Sequence, residues 1–235
     1  MTIDSANNSS YSEIDDNRGL RFLTPFNQAM VKGALEEVQE QIDKKGVDIN
    51  KRIVSSFFFP ETKYPPVYFA LTGALYAPGY LSSAQGKSQR DKFYPIFQLL
   101  LNNPKTDLNK TLEGFYPDSD RGFSILHWAA RHANYEVLLE ILNTKRVDLN
   151  AQVEGLDPYT NHCTPLDLAA SNLMGMHQTT VAEVANWLVI YHLLKVHGCK
   201  HNTRNPPAYI TTPPTTKAGL QDIVEKLKAG VFVKA

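Results

Sequence analysis

Cysteine is nearly absent: of 235 residues only Cys163 and Cys199 carry a thiol. Two thiols cannot staple a disulfide scaffold, so a packed core must hold the chain together, and a reducing compartment suits it. A surplus of charge is missing too, with 24 Lys plus Arg against 24 Asp plus Glu. A dedicated nucleic-acid binder needs excess cations to displace phosphate counterions, so no nucleic acid is expected as partner. Long apolar runs are lacking. The longest in the second half, Trp187 to Leu194, is interrupted by His192 and falls far short of the roughly 20 residues that span a bilayer. Met1 to Ser10 has neither the basic nor the apolar region of a secretory signal. The expectation is a chain with no membrane span, acting in the cytoplasm.

Catalytic signatures are missing as well. No G-x-S-x-G, H-E-x-x-H, phosphate-binding loop or dinucleotide glycine pattern occurs. No catalytic residue and no cofactor is therefore expected. His197, Cys199 and His201 make an H-x-C-x-H cluster, but this is not a standard ligand spacing and a structural zinc site needs four arranged ligands. The reading is that Gly198 turns a helix end there, the histidines are exposed, and no metal binds.

What the chain does have is a phrase that recurs four times. Each copy opens on a small polar residue or proline, continues through two apolar helices and closes on a turn ending in Asn. The copies open at TPFNQAM (residue 24), PPVYFAL (65), SILHWAA (124) and TPLDLAA (164), and close on Asn50, Asn109, Asn150 and Asn202. Thr24, Ser124 and Thr164 are natural helix N-caps. Pro25 and Pro165 then fall at the first helical position, where a missing N–H costs nothing. Thr164 and Asp167 have capping-box spacing. Ala29, Ala70, Ala129, Ala130, Ala169 and Ala170 are small enough to let neighbouring helices approach. The second helices carry Val38 and Ile42; Leu100 and Leu101; Leu138, Leu139 and Leu142; Leu193 and Leu194, each read as a buried stripe.

These phrases resemble the ankyrin repeat family, whose signature is T-P-L-H-x-A-A, a second helix with paired leucines, then G-A-D-V-N. The third copy, with Leu126, His127, Ala129 and Ala130, matches best; the second, with Pro65 and Pro66 at the Thr-Pro position, is poorest. The resemblance implies an all-α ankyrin-type solenoid of about four helix-pair repeats with long inserted loops and a C-terminal capping helix. Its array would cover residues 18–202, in units 20–63, 64–121, 122–162 and 163–202, after a polar tail over 1–17. A Pro-rich linker and a C-terminal helix would occupy 203–235, the helix, near 217–228, either capping the array or exposed as a docking or delivery segment. Each copy is longer than the family's unit of about 33 residues. Insertions are expected between the helices of the second copy (72–92) and of the fourth (171–180). Such an insertion-rich array is similar to ankyrin proteins that intracellular bacteria deliver into host cytosol.

The resemblance implies a protein-protein interaction module, an adaptor or scaffold, monomeric, binding another protein through hairpin tips, inner helices and inserted loops. The alternative is an effector enzyme, or the targeting half of one, with catalytic residues in those loops. The candidate binding residues are Phe57, Phe58 and Phe59, with Tyr116, Arg121, Tyr159 and His162. Three consecutive phenylalanines point in different directions and cannot share one buried face. Either the loop folds back over the repeat edge or it presents an aromatic anchor, the residue type enriched at binding hot spots. The resemblance also implies that Asn109 and Asn150 can be hydroxylated; the bland alternative is that the Asp-Asn pairs shape the turn. His127 is expected to bond within its own repeat.

Overall fold

The computed structural model describes residues 24–44, 46–55, 62–75, 83–113, 121–132, 135–153, 162–174 and 181–202. The tail over 1–17 and the segment over 203–235 lie outside the described residues. Within the described residues the chain is helical, with eight helices and one two-stranded sheet. The first helix, α1 (Pro25–Lys32), starts where Thr24 Oγ1 accepts the Asn27 N–H at 3.2 Å, with Pro25 at the first helical position. It stops at Gly33, in the left-handed region at φ 68°, where the Gly33 and Ala34 amides return to the carbonyls of Met30 and Ala29. Next come α2 (Leu35–Asp43) and the strands β1 (Ile53–Ser55) and β2 (Thr62–Tyr64), antiparallel with Ile53 opposite Tyr64. The remaining helices are α3 (Pro66–Leu75), α4 (Ser83–Asn102), α5 (Ile125–His132), α6 (Tyr135–Asn143), α7 (Pro165–Met174) and α8 (Val181–Val196).

The helices fall into consecutive pairs, α1 on α2, α3 on α4, α5 on α6 and α7 on α8. First helices meet first helices, α1 on α3 and α5 on α7, and second helices meet second helices, α2 on α4 and α6 on α8. The alanines picked out in the first helices are all buried, as close approach of those helices requires. Of the second-helix stripes, Val38, Leu100, Leu101, Leu138, Leu142 and Leu194 are buried. Leu139 is turned out, 36% exposed, because neighbours on a helix point about 100° apart and cannot both face the core.

Between the second and third pairs long side chains carry the junction. The Tyr68 and Trp128 rings meet edge to face, 5.7 Å apart, and Tyr94 donates its hydroxyl to Glu140 at 2.7 Å. The Arg146 guanidinium donates to the carbonyls of Leu101 and of Asn103 (2.8 Å) and Thr106 (3.3 Å). It thereby supplies donors and positive charge to the C-terminal end of α4, where carbonyls lack helical partners.

A second set of links joins the turns that follow each pair. Asn50 accepts the Asp107 N–H on Oδ1 (2.8 Å) and donates Nδ2 to the Lys105 carbonyl (2.9 Å). Asn109 repeats this one unit on, accepting from Asp148 N–H (2.6 Å) and donating to the Arg146 carbonyl (3.1 Å). Asn150 accepts from Lys200 N–H at 2.7 Å. Asp48, Asp107 and Asp148 each take the amide of the Asn two residues on, at 2.9 Å, which shapes the turn that presents it.

The insertion expected at 72–92 is corrected by the structure. α3 runs on to Leu75 and α4 begins at Ser83, so most of the extra residues lengthen the helices. Glycine and serine at 73, 83 and 86 read as loop, yet Gly73 is a helical position pressed against Phe93. A Cβ there would stand 2.7 Å from the Phe93 ring. In the fourth copy residues 171–174 likewise belong to α7, and 175–180 lie outside the described residues.

Two substitutions test this packing. Gly73→Ala is expected to cost about 1–3 kcal/mol by overpacking, although alanine is the better helix former. Arg146→Ala is expected to cost about 1.5–3 kcal/mol by stripping the charged cap from α4. Urea denaturation read by circular dichroism measures both, and a loss under about 0.5 kcal/mol for either contradicts the packing described.

Candidate functional site

Three hairpins lead from one helix pair to the next, and each has its feet pinned by an apolar pair. In the first, Ile53 faces Tyr64, both buried. In the second, Leu112 N–H donates to the Phe123 carbonyl at 2.8 Å and Gly122 N–H returns to Leu112 at 3.0 Å. In the third, Val153 N–H donates to Cys163 at 3.0 Å and His162 N–H to Val153 at 2.7 Å. Leu112, Phe123 and Val153 are buried and Cys163 half-buried. The first two hairpins are joined side by side. Lys63 and Glu113 exchange backbone hydrogen bonds (2.6 and 3.3 Å), and Arg52 pairs with the Glu113 carboxylate at 2.9 Å.

By connectivity, residues 56–61, 114–120 and 154–161 join the feet of these hairpins. Phe57, Phe58, Phe59, Tyr116 and Tyr159 fall in those segments, outside the described residues. Arg121 lies at the foot of the second hairpin and is exposed. His162 is at the foot of the third, exposed and in the left-handed region at φ 62°, with its carbonyl accepting from Asn202 Nδ2 at 2.8 Å. Asn109 and Asn150 are exposed at the inter-turn links, with Asn109 using both amide atoms and Asn150 its oxygen.

Three of the four inner helices offer little of the surface expected of them. Residues 66–74 of α3, 125–130 of α5 and 165–170 of α7 are buried throughout. For α3 this follows from composition, since PVYFALTGA is apolar on every side and such a helix must be covered on every side.

The fourth residue of each opening phrase, Asn27, Tyr68, His127 and Asp167, is buried in all four copies. His127 and Asp167 do the same work with opposite chemistry. His127 Nδ1 accepts from Ser124 (2.8 Å from Oγ), holding the helix start, and Nε2 reaches the Ala151 carbonyl at 2.9 Å. A neutral ring protonated on Nε2 satisfies both contacts, and burial pushes the imidazole down to about 4. Asp167 takes the Thr164 N–H (2.9 Å) and the Asn202 N–H (3.0 Å), while Thr164 Oγ1 takes the Asp167 amide at 3.3 Å. The capping box foreseen from spacing is therefore present. Its second use, tying the start of α7 to residues 201–202, was not foreseen.

The H-x-C-x-H histidines are engaged rather than simply exposed, a correction to the expectation. His201 Nδ1 meets Asp167 Oδ1 at 2.7 Å and its Nε2 meets the Tyr191 hydroxyl at 3.1 Å. His197 Nδ1 meets the Leu193 carbonyl at 2.8 Å, and Gly198 turns the helix end at φ 96°. Among the described residues no group of three or more His, Cys, Asp or Glu is arranged to hold a metal ion. Burial pushes the Cys199 thiol up to about 12, and burial together with Asp167 raises the Tyr191 phenol. Neither ionises readily at neutral pH, so neither is an activated nucleophile.

His127 gives a pH signature. Its folded value, about 4, lies below its ordinary 6.5, so the stability linked to its neutral form is complete above pH 6.5 and is lost as pH falls towards 4. The loss at this one site is about 3 kcal/mol. Urea midpoints taken at about pH 7, 5.5 and 4.5 should fall more steeply for the parent chain than for His127→Gln. Parallel profiles would contradict the buried neutral ring.

Among the described residues no helix is long and apolar enough to cross a membrane. Neither the curated proteins nor the solved structures provide a match to the chain. Residues 121–151 do match the ankyrin repeat family. That span runs from the foot of the second hairpin through α5 and α6 to Ala151, which receives the His127 imidazole. Its hydrogen-bonded histidine, buried alanines and closing Asp-Leu-Asn turn are features of the ankyrin signature, and this span of the chain is an ankyrin repeat.

Proposed function

We propose that the four helix pairs are four ankyrin repeats in one solenoid, capped at its end by the C-terminal segment, and that the protein is an adaptor. Its partner is another protein, bound through the hairpin tips and inserted loops. The observation that carries this reading is the set of three hairpins whose feet are pinned by apolar pairs and whose preceding turns are bridged to the next turn in one register by Asn50, Asn109 and Asn150. A framework of that kind holds the feet of the intervening loops at fixed spacing, which lowers the entropy lost on binding. Those loops carry Phe57, Phe58, Phe59, Tyr116 and Tyr159, with Arg121 and His162 at the feet. Aromatics and Arg are the side chains that most often dominate binding energy. Burial of the inner helices further favours the loops as the point of contact. Action in a host cytosol, as the resemblance to delivered bacterial ankyrin proteins implies, belongs to the same proposal.

A pull-down from eukaryotic cytosol read by mass spectrometry tests it. A partner recovered by the parent chain should be lost from the triple variant Phe57→Ala, Phe58→Ala, Phe59→Ala. It should be weakened roughly tenfold or more by Tyr116→Ala with Arg121→Ala, with unchanged melting temperatures. A partner retained by every loop variant, or no partner alongside turnover of a small substrate, refutes the loop-binding adaptor.

A further inference from the structure

A groove of about 920 Å³ runs between α2 and α4, the second helices of adjacent pairs. Leu35, Pro95 and Leu99 give it apolar walls, and Glu36, Glu40 and Asp43 give it three carboxylates. The other lining residues are Gln and Asn, and none is Lys or Arg. Leu35 is 39% exposed, an apolar side chain left open at the start of a helix whose other first-turn residues are acidic. The carboxylates are barely neutralised. Lys44 pairs with Glu40 at 2.9 Å, but both side chains are more than half exposed, so the pair is weak and exchangeable. Asp43 receives only the neutral Gln39 amide, at 3.1 Å to each oxygen. Pro95, inside α4, has no N–H and lays its ring on the groove wall.

We propose that this groove docks a basic amphipathic helix of a partner protein. Apolar side chains three and four residues apart on that helix would lie on Leu35, Pro95 and Leu99, and flanking Lys or Arg would meet Glu36, Glu40 and Asp43. The groove is open rather than enclosed, as a surface that takes one face of a short helix must be. Charge disfavours two other occupants, and the basic segment over 203–235, with Arg204, Lys217, Lys226, Lys228 and Lys234 against Asp222 and Glu225, is assigned to the cap of the proposed solenoid. A second copy of the chain docked face to face would set carboxylates against carboxylates. Residues 1–23 carry Asp4, Glu13, Asp15 and Asp16 against Arg18 and Arg21, and share the groove's sign. None of the groove's lining residues belongs to the hairpin segments, so each surface can be substituted without the other.

The test uses the full chain and a fluorescein-labelled synthetic peptide of Leu and Lys at helical spacing, bearing a photo-crosslinker. Anisotropy should report binding, and crosslinks should map to α2 and α4. The triple reversal Glu36→Lys, Glu40→Lys, Asp43→Lys should weaken binding roughly tenfold or more, and added salt should weaken the parent far more than the reversed chain. Leu35→Asp, a second exposed substitution, should also abolish binding. A Leu and Glu peptide of the same spacing should not bind, and the Phe57, Phe58, Phe59 triple alanine chain should bind as the parent does. Equal binding to the reversed chain or crosslinks outside α2 and α4 overturn the proposal. So does absence of binding, including absence relieved only by deleting residues 203–235, and so does a dimer in sedimentation that the reversal dissociates.

Discussion

The side-chain amide of asparagine, offering an acceptor and a donor at once, is the interaction on which the arrangement depends. A helix pair alone cannot bury its apolar face, and a stack of pairs has no long-range contacts to fix the spacing of its loops. At Asn50 and Asn109 one planar group takes the N–H of the next turn and gives a hydrogen to a carbonyl beside it, and Asn150 takes the N–H in its turn. Each turn is therefore positioned by its predecessor, and each Asp two residues earlier holds the Asn in place. The hairpin feet inherit that register. Where helices of the second and third pairs are bridged by long side chains, Arg146 acts on the end of α4 and Asn109, from the turn beyond α4, acts on the turn after α6.

Much of this was legible in the sequence because it is local. A Thr followed by Pro, or a Thr three residues before an Asp, builds a helix start from atoms within one turn, and α1 and α7 begin where Thr24 and Thr164 predict. Small residues at a repeated position reported the close first helices. What escaped were effects set by the neighbouring unit. Gly73 reads as a loop residue until Phe93 is placed against it, so the sequence alone points to an inserted loop where the helices are in fact longer. Leu139 reads as one of a leucine cluster until the helix is oriented. Arg146 looks like a surface cation, and nothing nearby in sequence names its three carbonyl partners. The inter-turn role of Asn50, Asn109 and Asn150 had a signal, the recurrence of Asp-x-Asn at one phase in three copies, but only half of it, the turn itself, was read.

The candidate surface was legible in outline only. The loops and their aromatic residues stand out in sequence because no repeat position explains them. Among the inner helices α3 is the clearest exception to the expected surface, because it is apolar on all sides and is buried on all sides. The groove between α2 and α4 is invisible to a linear reading, since Leu35 and Leu99 are far apart in the chain and become one surface only through packing. The same applies to Asp167, which serves its own helix start and residues 201–202 together. His127 and Asp167 show that a side chain at this buried position can hold the helix start and reach the following turn together. An imidazole and a carboxylate both do so.

The central claim is that the hairpins are held in register by turns that depend on one another. Amide hydrogen exchange on the full chain, parent against Asn109→Ala, tests it most directly. The account predicts lost protection at Asp148, whose N–H bonds to Asn109, and a further loss at Lys200, whose N–H bonds to Asn150 in the turn that Asp148 shapes. Loss confined to Asp148, with Lys200 as protected as in the parent, would contradict it and leave each turn to stand alone.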